Sequence, residues 1–359
     1  MPRTDSVNTQ PLAEYNKPFL STDEQRELLA RRGLRIEDPA LLDSYLRHEG
    51  YYRMSPYFHA FLLAGPDGGK LDCFSPGTSF ADVARLYEYD KWLRSLMLAA
   101  LRSIEISVRV AIAHHLGRRD IFAHENPNTF KQSFLANEST FRGKSWHQAW
   151  LDKYRQLLTR KDTEDYIRAF MAKYGERIPI WVAIELWDFG LLSRFFSGMK
   201  NPDQQAVSMT YGVGEPGIFA SWLRNFSYVR NVCAHHSRLW NRNLVEQPRL
   251  VLSNPIPELR HLCARGVKAP GSRAYATIAL SAYVLKKMNH VGDWGARISA
   301  LFEAFPSSPP CVLPRMMGIP ENWRELALWG KGPPARPQPG QGERPAETLP
   351  PLPGAWRNP

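Results

Sequence analysis

Cysteine is scarce in this 359-residue chain: only Cys73, Cys233, Cys263 and Cys311 occur, far apart and never in C-x-x-C spacing. That excludes a zinc ribbon or a disulfide framework and predicts a reducing, cytoplasmic setting. Long apolar runs are missing too. No stretch reaches the roughly eighteen uninterrupted apolar residues that a bilayer-crossing helix needs. The N-terminus, Met1-Pro2-Arg3-Thr4-Asp5-Ser6-Val7, has no apolar signal core, so no membrane association is expected. Gly-rich phosphate loops and serine-nucleophile motifs are absent, and Gly212-Val213-Gly214 lacks the fingerprint around it that would make it more than a loop. No segment sustains a period-two strand pattern, and no internal repeat stands out. The two adjacent-histidine pairs, His114-His115 and His235-His236, do not have ligand spacing, because neighbours on a helix point in different directions. No metal and no cofactor are expected.

What is present is positive charge and helix. The net charge of +11 favours a polyanionic partner, and 12% aromatic residues offer stacking surface, although most of the eleven tryptophans should be core. Ser21-Thr22-Asp23-Glu24 opens a helix that Gly33 closes, and Asp38-Pro39 opens another. Over 51–63 periodicity does not decide between a short helix and an extended segment. From about Phe80 to Leu116, Leu86, Tyr89, Leu93, Leu96, Ala100, Ile104, Val108 and Ala111 form a sustained core stripe. Further helices are expected over 146–173, 179–198, 202–211, from Pro216 onward, over 272–288 and over 294–305. The chain divides into a polar leader (1–16), an N-terminal helical and aromatic region (17–79), a helical core (80–300) with an insertion near 118–145, and a C-terminal extension (301–330). Residues 331–359, with nine prolines, read as a disordered tail.

The most informative string is Arg230-Asn231-Val232-Cys233-Ala234-His235-His236. It sets an always-charged guanidinium and two imidazoles at the end of a helix whose apolar face is Trp222, Leu223, Phe226 and Val229. Arginine can grip a phosphate with two parallel hydrogen bonds, and histidine moves protons near neutral pH. A structural reading competes with this one. Histidines at a helix C-terminus interact favourably with the dipole, and Arg230 could pair with an acid such as Glu185. At about 100° per residue, Arg230 and His235 differ by roughly 140° around the axis, so they do not share a stripe. Glu105 and Arg109 form an i, i+4 pair, which on a surface is worth about 0.3–0.5 kcal/mol.

Arg230 to His235 resembles the R-x(4 to 6)-H signature of the HEPN superfamily, and Arg230-Asn231-Val232-Cys233-Ala234-His235-His236-Ser237-Arg238-Leu239-Trp240-Asn241-Arg242 resembles the C-terminal signature of the Abi-like (abortive infection) family. Other blocks fit in order: Lys17-Pro18 with Arg32-Gly33-Leu34; Gly50-Tyr51-Tyr52-Arg53-Met54-Ser55-Pro56-Tyr57; Leu86-Tyr87-Glu88-Tyr89-Asp90 with Leu93-Arg94; Ile104-Glu105 with Arg109; and Pro179-Ile180-Trp181 with Phe189 to Arg194. The resemblance implies an all-α, HEPN-like helical bundle with an N-terminal helical extension and the proline-rich tail. It also implies a metal-independent endoribonuclease of bacterial phage defence. In that reading Arg230, Asn231, His235 and His236 are catalytic, Arg224, Arg238 and Arg242 bind substrate, and Glu105 and Arg109 brace the site. The implied partners are RNA, a second copy completing a composite site in a homodimer, and an antitoxin or regulatory protein. The alternative is a non-catalytic RNA-binding or regulatory module of the same superfamily.

Overall fold

The computed structural model describes residues 16–136, 143–159, 165–251, 256–263, 270–307 and 309–329. The expected tail (331–359) and all but residue 16 of the leader lie outside these. In chain order the helices are α1 (Thr22–Arg31), α2 (Pro39–His48) and α3 (Tyr51–Ala60), followed by a hairpin of β1 (Leu62–Ala64) and β2 (Lys70–Phe74). Then come α4 (Phe80–Gly117), α5 (Gln132–Leu135), α6 (Trp146–Leu158), α7 (Asp165–Tyr174), α8 (Ile180–Ala183) and α9 (Phe189–Gly198). The last are α10 (Asn201–Met209), α11 (Pro216–Ala234), α12 (Ala274–Lys287) and α13 (Trp294–Glu303). Among the described residues the fold is all-α apart from that hairpin, and none of the described helices is long and apolar enough to cross a membrane.

Helix α4 is the axis of the bundle. Ser79 and Asp82 form a reciprocal capping box at its start, and its 38 residues span about 57 Å. Its predicted stripe is buried, except that Ala111 is only partly so, and α3, α8, α10, α11, α12 and α13 all pack along it. Helix α11 lies between α4 and α9 and buries Trp222, Leu223, Phe226, Val229 and Val232. Each of these two helices was legible because a single apolar face repeats at helical spacing, and Pro216 fits the first turn, where its missing N–H costs nothing.

One reading left open is resolved and two expectations are corrected. The Tyr51 to Leu63 stretch is both a helix and a strand: α3 ends at Ala60 and β1 begins at Leu62. With three residues in β1 and five in β2, the hairpin is too short to show a period-two pattern. The helix expected over 146–173 is two helices, α6 and α7, with 160–164 outside the described residues. The helix expected over 179–198 is broken at Trp187, whose backbone is extended, because Asp188 caps a new helix by accepting from the Leu191 N–H at 2.7 Å. Between α4 and α6 the described residues hold only short helical turns, yet Phe130 and Phe134 stack on each other and Phe130 meets Phe195 of α9.

Candidate functional site: the C-terminal end of α11

Helix α11 ends in a two-bond left-handed turn. The His236 N–H bonds to the Cys233 carbonyl at 3.0 Å and the Ser237 N–H to the Val232 carbonyl at 2.9 Å, the Schellman arrangement that usually employs glycine. Here the left-handed residue is His236, with φ +55°. A Cβ in that region costs about 1 kcal/mol or more, so His236 sits there against its backbone preference. His235 is the C-cap residue, and both imidazoles are exposed.

The turn is clamped from outside. Arg53 of α3 donates to the His236 carbonyl at 3.0 Å, and Arg238 donates to the Pro56 carbonyl. Immediately beyond, the fully buried Asp90 of α4 accepts from the Trp240 N–H at 2.8 Å, the Leu239 N–H at 3.1 Å, the Tyr57 hydroxyl at 2.6 Å and Arg94 at 2.5 Å. Burial raises the pKa of this carboxyl, with Arg94, the Tyr57 hydroxyl and the two backbone N–H groups pulling it back, and its two oxygens accept from all four donors. One side chain thus joins α3, α4 and the segment after α11, and three of the blocks read as separate motifs in the sequence turn out to be one network. The sequence mark of Asp90 is a charge on the core face of α4 with a cation, Arg94, four residues on.

Arg230 is turned toward α4. Its Nε lies 4.0 Å from Glu105 Oε2, and one terminal nitrogen donates to Asn231 Oδ1 at 3.1 Å. The acid beside it is therefore Glu105, not Glu185, which pairs with Arg109 at 3.4 Å. Arg109 also donates to Glu105 at 2.6 Å and to the Trp187 carbonyl at 2.5 Å, so the Glu105–Arg109 pair is part-buried rather than a surface pair. Burial pushes Glu105 above the usual carboxylate range, with Arg109 and Arg230 pulling it back. Burial acts in the same sense on Asp188, but the Leu191 N–H, Lys153 and Arg230 outweigh it and hold this carboxyl low. Arg230 keeps about a third of its side chain exposed, and its other terminal nitrogen has no partner among the described residues.

The structure brings Arg230, Asn231, His235 and His236 to one helix end, with Asn231 exposed beside Arg230. Arg238 is half-buried, and burial lowers its pKa, with Arg242 and Arg273 close enough to lower it further. Arg224 is exposed and lies on the cleft that also contains Asn231. Cys233, within the signature, is packing: burial, together with Asp90, pushes its thiol up to about 12. Among the described residues no group of three or more His, Cys, Asp or Glu side chains could hold a metal ion.

Fold and site together define an all-α protein with a braced arginine and a solvent-facing histidine pair at one helix end. Residues 44–241 match the family described as Abi-like protein. That is more than half of the chain, so the chain belongs to the Abi-like family and is an abortive-infection-type protein. The match contains α3, α4, α11 and every residue of the Asp90 network. No curated protein and no solved structure matches the chain.

Proposed function

We propose that this Abi-like protein is a HEPN-type, metal-independent endoribonuclease acting in abortive-infection defence. The observation that carries the reading is the helix end itself. Two exposed imidazoles sit on a turn fixed by Arg53 and Asp90, one of them in a strained backbone, beside an arginine held by Glu105. Strain and clamping at exposed polar residues suit a site whose geometry matters.

The chemistry follows from the groups present. His235 takes the proton from a ribose 2′-hydroxyl, whose oxygen attacks the adjacent phosphorus. Arg230 neutralises charge developing on the non-bridging oxygens, a contribution usually among the largest in such sites. A second imidazole protonates the departing 5′-oxygen. The products are a 2′,3′-cyclic phosphate and a 5′-hydroxyl.

The roughly 140° between positions 230 and 235, with Arg230 drawn toward α4, favours a composite site in which a second copy supplies the facing groups. Purified protein incubated with total RNA in EDTA should cut it, and Arg230→Ala and His235→Ala should each abolish cutting. Light scattering should show a dimer, and a monomer with full activity would refute the composite site. A second reading, RNA binding without cleavage, draws on the partial neutralisation of Arg230 by Glu105. Retained RNA affinity with no wild-type cleavage would favour it.

A further inference from the structure

A cleft of about 540 Å³ runs from Asn231 along the outer face of α11, between α9 and the start of α6. Its volume is in the range of small-ligand sites. Two guanidiniums lie on it, Arg224 and Arg194, the latter 5.0 Å over the Trp146 ring. Tyr228 contributes a half-exposed ring. Ser193, only 3% exposed, lines this cleft, and its buried side-chain oxygen has no hydrogen-bond partner among the described residues. A buried hydroxyl without a partner costs free energy unless a ligand satisfies it.

The remaining charge on the cleft is Glu246. Its backbone is fixed, because the carbonyl accepts from Asn225 at 2.7 Å, yet neither its carboxylate nor Arg224 has an ion pair among the described residues. Opposite charges that share a cleft without meeting fit a ligand that is anionic at one end and a hydrogen-bond donor at the other. A nucleotide beside a phosphate held at Arg230 has that form. Its phosphate avoids Glu246 and goes to the arginines, so its base edge faces the carboxylate. Guanine presents two adjacent donors, N1–H and the 2-amino group, that match two carboxylate oxygens. Adenine and cytosine offer only an amino group there, and uracil only one N–H.

We propose that this cleft is a base subsite, resting on the nuclease reading above, and that it selects guanine in unpaired RNA next to the bond being cut. Arg224 and Arg194 hold the phosphate, Tyr228 stacks on the base, Ser193 satisfies a polar edge atom and Glu246 reads the Watson–Crick edge.

The test uses the full chain and 2′-O-methyl uridine pentamers carrying G, A, C or U at the centre. These cannot be cleaved, so the readout is independent of catalysis. Binding followed by fluorescence anisotropy should favour the G pentamer by at least about tenfold, the scale of one bidentate base contact. Glu246→Gln should bring the four affinities to within about twofold, with an unchanged thermal midpoint. Tyr228→Ala should weaken all four alike, because stacking tolerates any base. Equal affinities in the wild type, or a guanine preference that survives Glu246→Gln, would overturn the subsite. Cleavage of total RNA without guanine preference would sink the subsite and leave the nuclease, whereas guanine binding without cleavage would sink the nuclease and leave the subsite.

Discussion

At the scale of single residues, His236 is the position where backbone preference and chemistry conflict. Its φ of +55° belongs to glycine, and the Schellman bonds on either side over-determine it. Replacing it with glycine removes the Cβ from a left-handed position. His236→Gly should therefore stabilise the fold by about 1 kcal/mol, read as a higher urea midpoint at constant m-value, while RNA cleavage falls at least tenfold. A variant that loses stability would show that the imidazole is held for packing. The neighbouring Cys233 makes the contrast: it lies in the same string, but its thiol is buried and its pKa is pushed up.

At the scale of elements, the Asp90 network sets where the end of α11 lies. Asp90→Asn removes the charge from a fully buried carboxylate that faces Arg94, and leaves two backbone N–H groups and a tyrosine hydroxyl with a poorer acceptor. Breaking a buried pair in this way costs about 3–5 kcal/mol. The variant should show that loss in chemical denaturation, together with lost protection of the Leu239 and Trp240 amides in hydrogen exchange. Unchanged protection would mean that the turn is held by something else. Much of this was legible in the sequence as separate marks. Periodicity gave α4 and α11, the Ser21 and Asp38 caps gave α1 and α2, and the Arg230 to His236 string gave the helix end. What could not be read was the long-range pairing of Tyr57 and residues 239–240 through Asp90, which lies 150 positions before Trp240. The same is true of the cleft, because Trp146, Arg194 and Glu246 belong to different elements. Trp187 and Asp188 were read as positions within one helix, whereas the aspartate is a cap that starts another.

At the scale of the whole molecule, acid stability follows from a buried histidine between α4 and α6. His124 is fully buried, bonded through one ring nitrogen to Tyr154 at 3.3 Å, with the other nitrogen unpartnered. Burial, aided by Arg177 and opposed by Asp120, pushes its pKa down to about 4. An unfolded imidazole takes its proton near pH 6.5, so the contribution of the neutral folded form is complete above that value. It is lost as pH falls from about 6.5 to 4, up to about 3 kcal/mol. Thermal midpoints should fall across this window, and His124→Phe should flatten that part of the curve. An unchanged pH dependence in His124→Phe would assign the acid sensitivity to other groups.

The proposed function also belongs to the whole molecule, because ideal helix geometry sets positions 230 and 235 roughly 140° apart and so favours a site completed by a second copy. The most direct measurement is a gel assay of RNA cleavage in EDTA by a mixture of Arg230→Ala and His235→Ala chains, each inactive alone. If Arg230 of one copy works with His235 of the other, mixing and re-equilibrating the two variants restores part of the wild-type rate, with 2′,3′-cyclic phosphate ends. Wild-type protein that leaves RNA intact, or variants that cut as fast as it does, would contradict the account.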